Sequence, residues 1–539
     1  MNFEQKLKQL PPSDIWQEYC GFLDLSMDEF MEIQYRLLQE QIELMANCGL
    51  GKRLFKNGVP KTVEEFRKIV PLTTYEDYAD VLLMKRTDML PADPVVWLQT
   101  TWESGCKPEK WAPYSEAMLN VYKSNIIAAM ILSTSDARGQ FHVNSGYKAL
   151  YALAPLPYAT GLFPDLIDSE IKMKFLPPLK EAKKMSFGQQ SKVGFKMGLQ
   201  QGMDMFFGMS GIIHRITQGF DLSSGGGIDL KSALKISPKI LFRYLKAKYI
   251  SKRDDRPILP KDLFHLRGFV CVGTDTELYK SDLEKAWGRR PLEVMGGTEP
   301  ACIATETWSK DGLSFFPDTC FYEFIPEKEM LRNLQDPTYV PRTCLMNELT
   351  ANENYELVIT VLKGGAFMRY RPGDVYRCLR LKHPTDNLSC PQLQYVDRIP
   401  TVIDIAGFTR ITENSINNVI KLSGIEITDW FALKKYDDNK RCYMQLYVEL
   451  SENAAKTAAA CSSVLSELLS IYFKLYDTDY VDLKQMLGID PLSVQVLPHG
   501  TMAAYAERYG EPIRRINCSR SDELSLIRLI TERGEGDEA

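Results

Sequence analysis

Cys320-Phe321-Tyr322-Glu323-Phe324-Ile325-Pro326 is apolar at nearly every step and is closed by its proline. Tyr355-Glu356-Leu357-Val358-Ile359-Thr360-Val361-Leu362 has the same texture and runs into Gly364-Gly365. Apolar clusters bounded by Gly and Pro, without strict alternation, suit strands covered on both faces. The β pattern extends from Phe269 to Arg377, so this stretch reads as the buried strands of a mixed sheet.

On the N-terminal side the first 90 residues read as helical. Ser26 and Glu29 have capping-box spacing, and Cys48-Gly49 offers a stop. Phe30, Ile33, Leu37 and Leu44 then share one face that should pack on a core. From Pro155 to about Arg256, Met, Gly and Lys are frequent, and helices are expected, including Met197 to Phe207 and Leu230 to Ser251. After Arg398 a smaller α/β unit begins. Val402 to Ile405 and Met444 to Leu450 read as strands, Thr412 as the cap of a helix through Val419, and Ala454 to Leu475 as a long helix. The chain is therefore expected to be α/β, with a large domain over 1–397 and a small one over 398–539.

The bulk numbers narrow the classes. A net charge of −5 gives no global electrostatic case for nucleic-acid binding. The start, MNFEQKLKQLPPSDIW, lacks a basic segment followed by an apolar run, and no stretch approaches a membrane span. Twelve cysteines include no Cys-x-x-Cys pair, and five histidines form no close cluster, so reduced thiols and no structural zinc are expected. The cytoplasm is the expected compartment. Residues 231–256 hold nine Lys/Arg against two Asp, which reads first as a solvated helix face. The sharper reading is contact with an anionic ligand tail or a lipid surface; membrane contact is not the expectation.

Three segments carry candidate chemistry. In Met295-Gly296-Gly297-Thr298-Glu299 the glycines allow close backbone approach to a nucleotide. The Thr298 hydroxyl suits a phosphate oxygen, and the Glu299 carboxylate suits Mg²⁺ beside phosphates. In Phe367-Met368-Arg369-Tyr370-Arg371-Pro372-Gly373-Asp374, an Asp after a Gly turn can accept both hydrogen bonds of a ribose diol, or cap its own turn. Thr100-Thr101-Trp102-Glu103-Ser104-Gly105-Cys106-Lys107-Pro108-Glu109-Lys110, between a β-like Val95–Leu98 and a helix after Ser115, suggests a phosphate loop or a plain surface loop. It is not a Walker A sequence.

Taken in order with Ile403-Asp404-Ile405-Ala406-Gly407-Phe408, these stretches resemble the Gretchen-Hagen auxin-responsive family of acyl acid amido synthetases, in its prokaryotic form. That family lies within the acyl-adenylate-forming superfamily. The Phe-Tyr-Glu-Phe-Ile-Pro and Tyr-Arg-x-Gly-Asp runs are the specific ones, and the resemblance covers most of residues 95–450. It implies a large adenylate-forming domain of mixed sheets and helices, with 155–256 supplying the acyl pocket, plus a small mobile C-terminal cap. It implies ATP and Mg²⁺ as cofactors, with acyl transfer from the adenylate of an organic carboxylic acid to an amine; the aromatic and Met content of the middle region suggests a largely apolar acid. Thr298 would touch the α-phosphate and Glu299 the Mg²⁺. Gly296 and Gly297 would border AMP, and Tyr322 would lie near the nucleotide and acyl pocket. Asp374 would bind the ribose. Thr101, Ser104, Gly105 and Lys110 would serve the phosphates, and Arg398 would open the hinge as its basic, nucleotide-facing residue.

The chain departs from the family's pattern at three places. Trp102 and Glu103 stand where a small hydroxyl residue and Gly are usual. No acid follows Arg398 in Arg398-Ile399-Pro400-Thr401-Val402. Near the end, Pro512-Ile513-Arg514-Arg515 offers arginines where a Lys is common, and the two cations are not equivalent. Thioester formation with a thiol such as coenzyme A, and a nucleotide- or acyl-binding homologue with weakened catalysis, stay open as alternatives.

Overall fold

Five parallel strands set the frame: β3 (Lys148–Ala152), β4 (Lys174–Leu176), β5 (Met205–Met209), β6 (Gly268–Val272) and β7 (Leu292–Gly297). The chain is seen in a computed structural model that describes residues 1–100, 109–185, 187–218, 220, 238–407, 409–452, 458–476 and 491–537. Residues Met1–Thr100 and Lys110–Asp397 form one compact unit, and a second begins at Arg398.

In the first unit, β1 (Val96–Thr100) and β2 (Lys110–Tyr114) form an antiparallel hairpin apart from the main sheet. The parallel strands continue into β8 (Ala301–Glu306), β9 (Leu313–Phe315), β10 (Cys320–Pro326), β11 (Asn354–Val361), β12 (Asp374–Arg380) and β13 (Gln392–Arg398). Among the described residues the sheet order is β10-β11-β12-β13-β9-β8-β7-β6-β5-β3-β4. The direction changes at β7, which runs parallel to β6 and antiparallel to β8. The carboxyl ends of parallel strands beside such a change are where open α/β sheets tend to bind ligands.

The helix over Met27–Ala46 starts as expected, with Ser26 Oγ accepting from Glu29 N–H and Glu29 accepting from Ser26 N–H. Its packing face differs from the expected one. Phe30, Leu37 and Ile42 are buried with Gln34 and Gln41, whereas Leu44 is exposed. Each glutamine clamps backbone. Gln34 accepts from Tyr322 N–H at 3.0 Å and donates to the Cys320 carbonyl, and Gln41 joins both Gly364 and Gly365. The amide side chains thus replace missing sheet partners, which stabilises otherwise unsatisfied buried groups. Nor does Cys48-Gly49 act as a glycine stop: Cys48 caps the next helix, its sulfur accepting from Gly51 N–H.

The middle region is less helical than expected. The helix there covers Phe187–Gln201, and Met205-Phe206-Phe207-Gly208-Met209 is a strand in the centre of the parallel set. A strand buried on both faces is continuously apolar, so it carries no period of two. Phe206 stacks on Phe269 and meets Trp287 edge-on, closing the core beneath the sheet. The basic helix is described over Pro238–Arg253; residues 230–237 of the expected span lie outside the described ones.

β7 and β8 are also tied at the end away from their turn. Lys280, on the helix Thr276–Trp287, places its ammonium 2.7 Å from Glu277, 2.8 Å from Glu293 and 2.6 Å from Glu306. These three carboxylates are grouped closely enough for a metal ion, and the ammonium already supplies that charge. Burial, with Glu293 adding to it and Lys280 opposing, pushes Glu306 up to about 7.

The second unit holds the hairpin β14 (Val402–Ile405) and β15 (Thr409–Thr412), and a sheet of β16 (Ile427–Tyr436), β17 (Cys442–Leu450) and β18 (Leu492–Leu497). Alternate residues of β16 face two cores. Trp430 and Ala432 pack with Ile403, Ile405 and Ile416, and Phe431 and Leu433 pack with Met502, Tyr505 and Leu526. The helix Glu413–Ser423 is capped by Thr412, and a further helix covers Ala458–Tyr476.

Candidate active site

The turn Thr298-Glu299-Pro300 joins β7 to β8 at the carboxyl end of the last parallel strand. The register shifts between Met295 and Gly296, and Ala301 closes the turn at φ 59°. The backbone crowds here: a Cβ on Gly296 would stand 1.6 Å from the Ala301 carbonyl oxygen. Gly296 is exposed and Gly297 half-buried, so the turn presents backbone rather than side chains.

Glu299 is buried beneath this turn. Lys110, the first residue of β2, donates to Glu299 Oε1 at 2.7 Å and to the Tyr370 hydroxyl at 2.9 Å. Tyr370 in turn donates to the same Glu299 oxygen at 2.8 Å. Tyr75 lies beside them, its ring 5.5 Å from the ammonium and its hydroxyl bonded to the Trp111 backbone. Glu299 Oε2 lies on the Gly297 side, 3.5 Å from where a Cβ on that glycine would be. Thr298 is half-buried, and its carbonyl accepts from the Tyr114 hydroxyl at 2.7 Å.

Tyr370 reaches this position because its neighbours are anchored. Arg369 sits at φ 44°, an uncommon backbone conformation for a residue with a side chain, and its guanidinium is buried. It forms a two-pronged pair with Glu323, at 3.0 and 2.9 Å, and donates to the Arg67 and Val70 carbonyls at 2.7 Å each. Arg371 forms a second two-pronged pair with Glu356, both bonds at 2.8 Å. The two strand motifs and the Arg-Tyr-Arg segment are therefore knit by charge. Such parallel N–H···O bonds fix orientation as well as adding strength.

The remaining expected residues fall as follows. Asp374 is half-buried, the first residue of β12, directly after Gly373 at φ 84°. Thr101, Ser104 and Gly105 lie outside the described residues, so only the stem of that loop is seen. Lys85, from outside the stem, stands 3.5 Å over its Trp111 ring and 5.8 Å from its Trp97. Tyr322 is 1% exposed and donates to the Phe316 carbonyl at 2.8 Å. It is a core residue of β10. Arg398 pairs with a buried carboxylate. Its Nε donates to Asp404 Oδ2 at 3.1 Å, within the second unit. Burial alone would push the Asp404 carboxyl up, but Arg398, Lys434, Arg410 and the Gly407 N–H outweigh it and hold the carboxyl below its usual range. Asp404, six residues on, is thus an acid that pairs with Arg398. Tyr370, Glu323 and Glu356 had no role assigned from sequence, although all three lie inside the motifs that carried the resemblance.

The mixed sheet, the glycine turn at its parallel edge and the separate C-terminal unit define the fold of the adenylate-forming enzymes. Residues 20–162 match the GH3 family N-terminal domain and residues 313–398 the GH3 family central domain. No curated protein sequence is a significant match. Among solved structures, the chain is similar to 2-hydroxyisobutyryl-CoA ligase in complex with 2-HIB-AMP and CoA. The TM-score is 0.57 at 14% identity, over 91% of this chain and 90% of that one. It is also similar to AtGH3.15 acyl acid amido synthetase in complex with 2,4-DB, with a TM-score of 0.50 at 16% identity over 97% of each chain. At these identities the likeness speaks for the fold.

Proposed function

We propose that this chain is a ligase that activates an organic carboxylic acid with ATP as an acyl-adenylate and then passes the acyl group to an amine. The observation that carries this reading is the Gly296–Glu299 turn at the parallel edge of the sheet, with Glu299 held by the lysine that ends the 101–109 loop.

Adenylation needs a polyphosphate cradle, a positive charge near it and an acid held for attack on the α-phosphate. In this reading the exposed backbone of Gly296 and Gly297 borders AMP, and Thr298 and Lys110 serve the phosphates. Asp374 takes the ribose hydroxyls. A single buried carboxylate fits Mg²⁺, which commonly binds through one or two carboxylates plus substrate phosphates. Glu299 would hold it, and the ion would neutralise phosphate charge. When the nucleotide enters, Lys110 exchanges its bond to Glu299 for a phosphate oxygen, and Tyr370 keeps Glu299 in place. The compartment we assign is the cytoplasm, and the acid is largely apolar.

The test is pyrophosphate release from ATP and Mg²⁺ with aromatic, indolic and fatty acids, first alone and then with amino acids or coenzyme A. Acid-dependent release stimulated by an amine is expected. Stimulation by coenzyme A alone would make the chain a thioester-forming ligase. Bound ATP with no release for any acid would reject the enzyme reading and leave a nucleotide-binding homologue.

A further inference from the structure

The helix Pro238–Arg253 is anchored by one face and bare on the other. Ala247 is fully buried, and Arg243 folds over Gly202, just past the helix Phe187–Gln201. On the opposite side Phe242 is 71% exposed, Leu245 55% and Tyr249 70%. At 3.6 residues per turn these three lie within an arc of about 60°. Single exposed apolar residues need no explanation, but an aligned trio with two aromatics does.

The same turns place cations on both flanks of that stripe. Lys246 and Arg253 lie on one side, Lys248 and Lys252 on the other, and all four are exposed. Arg253 pairs with the adjacent Asp254, whereas Lys246, Lys248 and Lys252 form no ion pair among the described residues. The whole chain carries −5, so its net charge would repel an anionic surface. The attraction available here is local to this helix. Exposed aromatics flanked by lysines are the signature of a helix lying in a lipid interface, apolar side down and ammonium groups at the headgroups.

We propose that this helix docks the protein on an anionic lipid bilayer, with Phe242, Leu245 and Tyr249 entering the interface and Lys246, Lys248 and Lys252 meeting anionic headgroups. Nothing in this rests on the catalytic reading. It also does not require a membrane span, and no helix among the described residues is long and apolar enough to form one.

The experiment is flotation of the full chain with phosphatidylcholine vesicles, with and without about 30% phosphatidylserine, at low and high salt. Binding is expected only with phosphatidylserine, and high salt should release it. Each basic residue near such a surface contributes about fivefold in affinity, so K246E/K248E should weaken binding about thirtyfold or more. Phe242→Ser with Tyr249→Ser should weaken it at least tenfold. Both pairs lie on the surface, and unchanged thermal melts confirm the fold. Binding equal on neutral vesicles, or undiminished in both variants, overturns the proposal. So does a wild-type dimer that Phe242→Ser dissociates, because the face would then be a contact between copies of the chain.

Discussion

Lys110 and Glu299, 189 residues apart, meet as a buried ion pair at 2.7 Å with both side chains less than a tenth exposed, and Tyr370 closes the triangle. A pair this enclosed exists at the expense of desolvation, and its members gain only while both are present. Each of the two is therefore held by the other.

A double-mutant cycle measures that mutual dependence. Lys110→Met and Glu299→Leu should each destabilise the protein, and the double variant should recover part of the loss. A coupling of about 1–3 kcal/mol is expected from urea midpoints. Glu299→Gln should cut acid-dependent pyrophosphate release about a hundredfold. Unchanged release would remove Glu299 from the reaction.

The Arg369–Glu323 pair makes a separate statement about stability. Arg369→Met leaves the buried Glu323 carboxylate with Arg67, at 3.7 Å, in place of its two-pronged partner and should cost about 3 kcal/mol, read as a lower denaturant midpoint. Arg369→Lys should not restore it, because an ammonium cannot make the two-pronged contact and reach two carbonyls as well. Full rescue by lysine would mean that charge alone matters there.

Asp374→Ala should weaken ATP binding by about 1–3 kcal/mol, the cost of losing hydrogen bonds to a charged group. Calorimetry with ATP in the absence of acid is the direct measurement. Equal affinity would reject the ribose assignment.

The Glu306 cluster predicts a pH dependence. Its carboxyl sits at about 7 in the folded chain, above its ordinary value in the unfolded one. Between these two values the folded state holds the extra proton, so stability falls as pH rises through that window. The slope is at most about 1.4 kcal/mol per pH unit, shared across the coupled cluster. Glu306→Gln should flatten this slope while lowering stability overall, since one acceptor is lost to Lys280 or to the Glu293 N–H. A wild-type melting temperature independent of pH from 5 to 8 would contradict the assignment.

Much of this architecture is legible in the order of the amino acids. The runs at Cys320–Pro326 and Tyr355–Leu362 are apolar enough to be buried strands whatever surrounds them, and Ser26 with Glu29 marks a helix start by local chemistry alone. What escapes a sequence reading is non-local or without period. Met205–Met209 is a strand whose two buried faces erase alternation. Gln34 and Gln41 look like surface residues until their backbone partners are known. Glu323, Glu356, Arg369 and Arg371 lie inside quoted motifs, yet nothing local in a sequence says which carboxylate meets which guanidinium across tens of residues. At the site, Lys110 and Glu299 each stand out as residue types, but their mutual contact does not. Nothing local in the sequence says that the Tyr322 hydroxyl bonds the Phe316 carbonyl.

The crowding at Gly296 has a consequence for how this chain can change over time. The Ala301 carbonyl oxygen occupies the place where any side chain would begin. Every single-base change that alters a glycine codon yields either a residue carrying a Cβ or a stop. Position 296 is thus closed to one-step exploration by the genetic code, while Thr298, two residues on, is not. In a library of random variants, new nucleotide or acid preferences should therefore arise around that glycine and not at it.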